Sequence, residues 1–117
     1  MISLILIIIV ALEHLLFGYI EMFGATGLQA KAFGFEEAEL KNKTLQVALS
    51  NQGIYNVGLG LLIIALTIAN ASIPVLSLTM IFVVLVGIYG ALTVTKKILI
   101  VQALPALISL ILLFLSV

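Results

Sequence analysis

The chain has 117 residues, 64 % of them apolar and 9 % charged, with no formal net charge at neutral pH. Soluble domains carry roughly 45–50 % apolar and about 25 % charged residues, so the composition excludes an ordinary water-soluble domain and points to an integral membrane protein. Five lysines and five glutamates, with no Arg, Asp or Cys, exclude a basic face for nucleic acid and any disulfide or thiol chemistry. One His and no Cys leave no ordinary zinc site. No metal and no cofactor is expected.

The first predicted element is a membrane span over about 2–23. The run lacks a basic n-region and an A-x-A-like cleavage site, so it reads as a retained transmembrane helix and not as a signal peptide. A link follows over 24–44. Its front half, with Gly24, Gly27 and Gly34, is turn-like. In its back half Glu36, Glu37 and Glu39 favour a helix start. Glu37–Lys41 and Glu39–Lys43 stand at i,i+4 in the favourable order. The second helix is therefore expected to begin near Phe35 and run unbroken into a span over about 45–69. The third span covers about 75–93, with Pro74 in its first turn, where the missing N–H costs nothing. The fourth covers about 98–117. About 20 apolar residues cross the hydrocarbon core, and lipid forces each segment to be helical. Short links at 69–74 and 95–97 require antiparallel neighbours. The expectation is all-α: one domain over 1–117, an antiparallel four-helix transmembrane bundle. The lysines (31, 41, 43, 96 and 97) all lie in the first and third links. Lysine-rich loops stay cytoplasmic, which predicts a multi-pass protein of the cytoplasmic membrane with both termini outside.

The apolar first span contains Glu13, His14 and Glu21 in "ALEHLLFGYIEMF". His14 and Glu21, seven apart, fall within about 20° on one helix face. Glu13 sits roughly 100° away. A charge at mid-membrane costs about 2.5–3.5 kcal/mol on insertion scales, so Glu13 and His14 should face protein or a water-filled cavity. "SNQGIYN" in the second span stacks Asn51 over Tyr55 and Gln52 over Asn56 at i,i+4. The third span adds Tyr89 and Thr93, and the fourth adds Gln102 followed by Pro105. At 1.5 Å per residue, Glu21, Asn51, Gln52, Tyr89 and Gln102 lie within roughly 10 Å of the cytoplasmic boundary. His14, Tyr55, Asn56 and Glu13 lie about a turn deeper. Four helices thus place polar groups in one half of the membrane, which predicts a polar pocket opening toward the cytoplasm. Asn, Gln and Tyr taken singly also serve as interhelical glue. Gly53, Gly58, Gly60, Gly87 and Gly90 suit close helix contact. Pro105 is expected to kink its helix and free a carbonyl near Val101.

The blocks "ALEHL…YIEMFG", "NQGIYN", "GIYGALTV" and "ILIVQALPALI" resemble, in that order, the marks of a family of small bacterial membrane proteins known as domain of unknown function 1304. The resemblance covers nearly the whole chain. It implies a four-helix transmembrane bundle similar to the wider DoxX-like group, and it implies no activity. The family's motif residues fall on Glu13, His14, Glu21, Asn51, Gln52, Tyr55, Asn56, Gly87, Tyr89, Gly90, Gln102 and Pro105.

Three functions compete. In the first, the pocket binds or transports a small amphipathic or cationic molecule, or a lipid. Glu13 and Glu21 are its counter-charges, His14 a proton-responsive group, and Asn51, Gln52, Tyr55, Asn56, Tyr89 and Gln102 orient the ligand. In the second, the same groups do acid–base work on a lipid-like substrate, which requires a cavity with a lateral opening. In the third, the chain is a structural partner subunit, closed, with its polar groups paired to one another. The first is favoured over an enzyme. The partners expected are membrane lipids, a small-molecule ligand and a second copy in a homodimer, with no nucleic acid.

Overall fold

The computed structural model describes residues 1–116, and all of its regular elements are helical. They are α1 (Ile2–Phe23), α2 (Thr26–Phe33), a single 3-10 turn (Glu39–Lys41), α3 (Lys43–Ile68), α4 (Ile73–Thr93), a π-helical turn (Leu99–Ala103) and α5 (Leu104–Leu115). α1, α3 and α4 are each long and apolar enough to cross a membrane, and the Leu99–Leu115 stretch is a shorter apolar helix. The molecule is elongated, 49 × 25 × 17 Å. The last residue of the expected fourth span, Val117, lies outside the described residues.

Large apolar side chains cover the outside. Leu12, Leu16, Leu61, Leu85, Ile100 and Phe114 are all more than half exposed, the reverse of what water allows over so continuous a surface. The interior is thin. Ile7, Val10, Ile63, Met80, Val83 and Ala106 form its core, in the half of the molecule away from the lysines. Each α1 residue in the buried series 7, 10, 11, 14, 18 and 21 is three or four from the next, with one adjacent pair, so one narrow stripe faces inward.

α1 packs most extensively on α3, and glycine makes the contact close. A Cβ on Gly18 would stand 2.5 Å from the Gly53 carbonyl oxygen, and one on Gly60 would stand 2.7 Å from the Ala11 carbonyl oxygen. These pairings run antiparallel and let two backbones touch where a side chain would hold them apart. Gly87 seats Ala103 in the same way, with 2.9 Å between the two Cβ positions. Gly58 differs from the expected contact role, because a Cβ there meets nothing within 4 Å.

The first link corrects the sequence reading. Its front half is helix α2, closed by Gly34 in the left-handed conformation (φ 76°), the usual glycine stop. Its back half does not start α3. Asn42 caps α3, its Oδ1 accepting from the N–H groups of Thr44 at 2.9 Å and Leu45 at 3.2 Å. Asn is among the best N-caps, and its capping geometry ends any helix arriving from Phe35. Glu36, Glu37 and Glu39 serve the link itself: Glu39 Oε1 accepts from Glu36 N–H at 3.4 Å, and Glu37 accepts from the Thr26 hydroxyl at 3.3 Å. Glu37–Lys41 and Glu39–Lys43 therefore share no helix face. At the second link the expectation matches, with Pro74 in the first turn of α4.

Candidate functional site

Two polar pairs lie inside the helices. His14 is fully buried, and its ring Nδ1 lies 2.8 Å from the Val10 carbonyl oxygen, so Nδ1–H is the donor there. Nε2 is then an acceptor, and the Gln102 amide nitrogen donates to it at 2.9 Å. Both ring nitrogens are satisfied by a neutral imidazole. The Phe17 ring meets the imidazole edge to face at 6.1 Å. The second pair is Glu21, 1 % exposed, whose Oε1 accepts from the Asn56 amide at 2.5 Å. Gln52 stands beside the same carboxylate, yet Glu21 Oε2 is buried without a hydrogen-bond partner.

The π-helical turn positions Gln102. Pro105 has no N–H to return to Val101, and the ladder adapts by one wider step, with Leu104 N–H bonding to the Leu99 carbonyl. Such a step rotates the residues before it relative to α5, and π-bulges of this kind recur at functional sites. Val101, Ile98 and Gln102 consequently line the same space as Glu21.

That space is a cleft of about 920 Å³ between α3 and α4. The two helices touch little along this length, and α1 and the π turn form its floor. Glu21, Gln52, Asn56 and Gln102 supply its polar groups, and Leu59, Leu62, Phe82 and Val86 continue it as an apolar trough. Tyr55 and Tyr89 line it from α3 and α4 while 73 % and 70 % exposed, so the cleft opens sideways between them. Lys31 of α2 and Lys97 of the last link line the lysine-bearing end.

The structure thus brings Glu21, Gln52, Tyr55, Asn56, Tyr89 and Gln102 to one cleft, with His14 directly behind Gln102. Two expected members stand elsewhere. Asn51 is exposed one turn before Tyr55 on α3, outside the cleft, beside Lys43, Thr44 and Val47. Glu13 sits on the flank of α1, away from the cleft, with its Oε2 buried and unpartnered. No three His or Glu side chains converge among the described residues.

The sequence reading missed Lys31 and Lys97, which it used only for topology, and Gly58, whose missing side chain leaves the cleft open. It also missed Gln29, 1 % exposed, which donates to the Ile20 and Glu21 carbonyls at 2.9 and 3.2 Å. Gln29 accepts in turn from Gln46 of α3 at 3.2 Å. These bonds add a second donor to the Ile20 carbonyl, which Gly24 N–H already caps, satisfy the Glu21 carbonyl at the C-terminus of α1, and fix α2 beside the Glu21 end of the cleft. A lone Gln in a link predicted to be turn-like carried no signal for this.

An all-helical chain with a lateral, polar-based cleft defines a class without defining an activity. The chain belongs to the family described as "Protein of unknown function (DUF1304)", whose model matches residues 8–114. It is similar to the uncharacterized protein YpaA of Lactococcus lactis subsp. lactis (strain IL1403), with 37 % identity over 112 residues that cover 93 % of each chain. No solved structure matches the chain.

Proposed function

We propose that the protein is a multi-pass protein of the cytoplasmic membrane with four spanning segments and both termini outside. Its cleft takes up an amphipathic molecule from the cytoplasmic leaflet. The observation that carries this reading is Glu21: a buried carboxylate with one oxygen held by Asn56 and the other unpartnered, at the base of the open cleft between α3 and α4. Burying a charged or polar oxygen without a partner is costly. A ligand donor removes that cost, and the trough of Leu59, Leu62, Phe82 and Val86 receives an apolar tail. The structural-subunit reading has one observation in its favour, the pairing of His14 with Gln102 and of Glu21 with Asn56. It leaves the cleft and the second Glu21 oxygen without a role.

The test uses Gly58. A side chain there meets no neighbour, so Gly58→Leu projects into the cleft, and leaving Gly favours the helix by about 1 kcal/mol. Wild-type protein released from lipid nanodiscs is expected to keep a lipid-sized adduct in native mass spectrometry. Gly58→Leu is expected to lose it, with helicity retained and a thermal midpoint no lower than that of the wild type. Equal adducts in both proteins, or none in either, overturns the reading.

A further inference from the structure

The charges around the cleft are arranged in two tiers. At its base lies one acidic group, Glu21, 1 % exposed, with Oε2 free of any partner in hydrogen-bond geometry. At its lysine-bearing end lie two cations, Lys31 and Lys97, brought from separate links and both exposed. Polar amides fill the base, and the remainder of the wall is apolar or aromatic.

Each simple amphiphile satisfies only part of this arrangement. A cationic amphiphile answers Glu21 and meets like charge at Lys31 and Lys97. A fatty acid or an anionic headgroup answers the lysines and places nothing but an acceptor against Glu21. A zwitterion answers both, provided its cation carries N–H groups to donate to Oε2 and its headgroup folds back, so that the anion stays at the lysine-bearing end while the cation turns toward the base. Building on the proposed function, we infer that the cleft is selective for phospholipids with a primary-amine headgroup. The ammonium donates to Glu21 Oε2, the phosphate lies between Lys31 and Lys97, and an acyl chain runs along Leu59, Leu62, Phe82 and Val86. Charge-assisted hydrogen bonds are the stronger ones, and a lysine ammonium binds phosphate as a point charge without needing a fixed fork. Tyr55 and Tyr89 frame the lateral opening, as amphipathic rings do at membrane interfaces.

The choline headgroup provides the control, since it has the same charge as ethanolamine but no N–H to give Oε2. The full chain is placed in nanodiscs of equal parts phosphatidylethanolamine, phosphatidylcholine and phosphatidylglycerol of one acyl composition. The lipid retained after release is then identified by mass. Wild-type protein is expected to retain phosphatidylethanolamine over each of the others by about tenfold or more, the size of one hydrogen bond to a charged group. Glu21→Gln is expected to bring phosphatidylethanolamine and phosphatidylcholine to within about threefold of each other. The double variant Lys31→Gln/Lys97→Gln is expected to lower retention of all three lipids while phosphatidylethanolamine keeps its lead over phosphatidylcholine.

The wild-type comparison needs no variant to fold. Equal retention of the three lipids, abolished in Gly58→Leu, overturns the headgroup assignment and leaves the cleft reading standing. Retention no greater than that of Gly58→Leu overturns both. A preference for phosphatidylethanolamine that survives Glu21→Gln overturns the assignment of its ammonium to that carboxylate.

Discussion

Asn51 and Asn56 are five residues apart on α3, chemically identical, and differ completely in surroundings. Asn56 donates to Glu21 at 2.5 Å, whereas Asn51, about 140° away round the helix, is exposed and bonds to no buried group. Replacing Asn56 by Leu removes the amide that donates to Glu21 Oε1, beside an Oε2 that is already unpartnered. An orphaned buried acceptor costs about 1–3 kcal/mol, so Asn56→Leu is expected to lower the thermal midpoint in detergent clearly. Asn51→Leu is expected to shift stability by no more than about 0.5 kcal/mol, as at an ordinary surface site. Equal effects of the two variants would place the α3 stripe wrongly.

The contrast also shows which residue assignments were legible. The i,i+4 pairs Asn51–Tyr55 and Gln52–Asn56 are plain in the sequence, but a pair does not say which way it faces. The direction lay in the glycines. Gly53, Asn56 and Gly60 follow at three- and four-residue steps, and this is the stripe that meets α1. His14 and Glu21 were legible as a shared face because seven residues nearly close two turns. Their separate partners, Gln102 and Asn56, depend on helix rotations that only packing decides.

At the scale of the elements, the α1–α3 contact is sensitive and the α3–α4 gap is tolerant. A methyl on Gly18 or Gly53 runs into backbone or into the Met22 side chain, with Cβ contacts of 2.5–2.9 Å, and a helix backbone does not yield as a side-chain end does. Overpacking of this kind costs about 1–3 kcal/mol. Gly18→Ala is expected to destabilise the protein by that amount. Gly58→Ala, which meets open space, is expected to be neutral or slightly stabilising. Urea or thermal unfolding of the two variants side by side checks this; equal losses would deny the close backbone approach at Gly18. Element ends were legible where a residue forces them, as Pro74 does at the start of α4. They were illegible in the first link, where the acidic run 36–39 imitates a helix start and the true signals are Gly34 and Asn42, each a single residue acting through its own backbone geometry.

At the scale of the whole molecule, the polar half and the apolar half are separated along the long axis. The core of Ile7, Ile63, Met80 and Leu113 lies toward one end. The cleft and every lysine lie toward the other. In the proposed orientation the cleft faces the cytoplasm because lysine-bearing loops resist translocation, so topology and function are tied to one another. The chain has no cysteine, which allows single-cysteine reporters without removal of native thiols. A membrane-impermeant maleimide added to intact cells is expected to label Ser116→Cys and to spare Glu37→Cys and Lys96→Cys, which become reactive only after the membrane is opened. The opposite pattern would turn the cleft and its two lysines toward the outside, and a ligand drawn from the cytoplasmic leaflet would then have no route to Glu21. Labelling of all three in intact cells would mean a population inserted both ways. That outcome is not expected of a chain with five lysines in the first and third links and none in the second link or at either end.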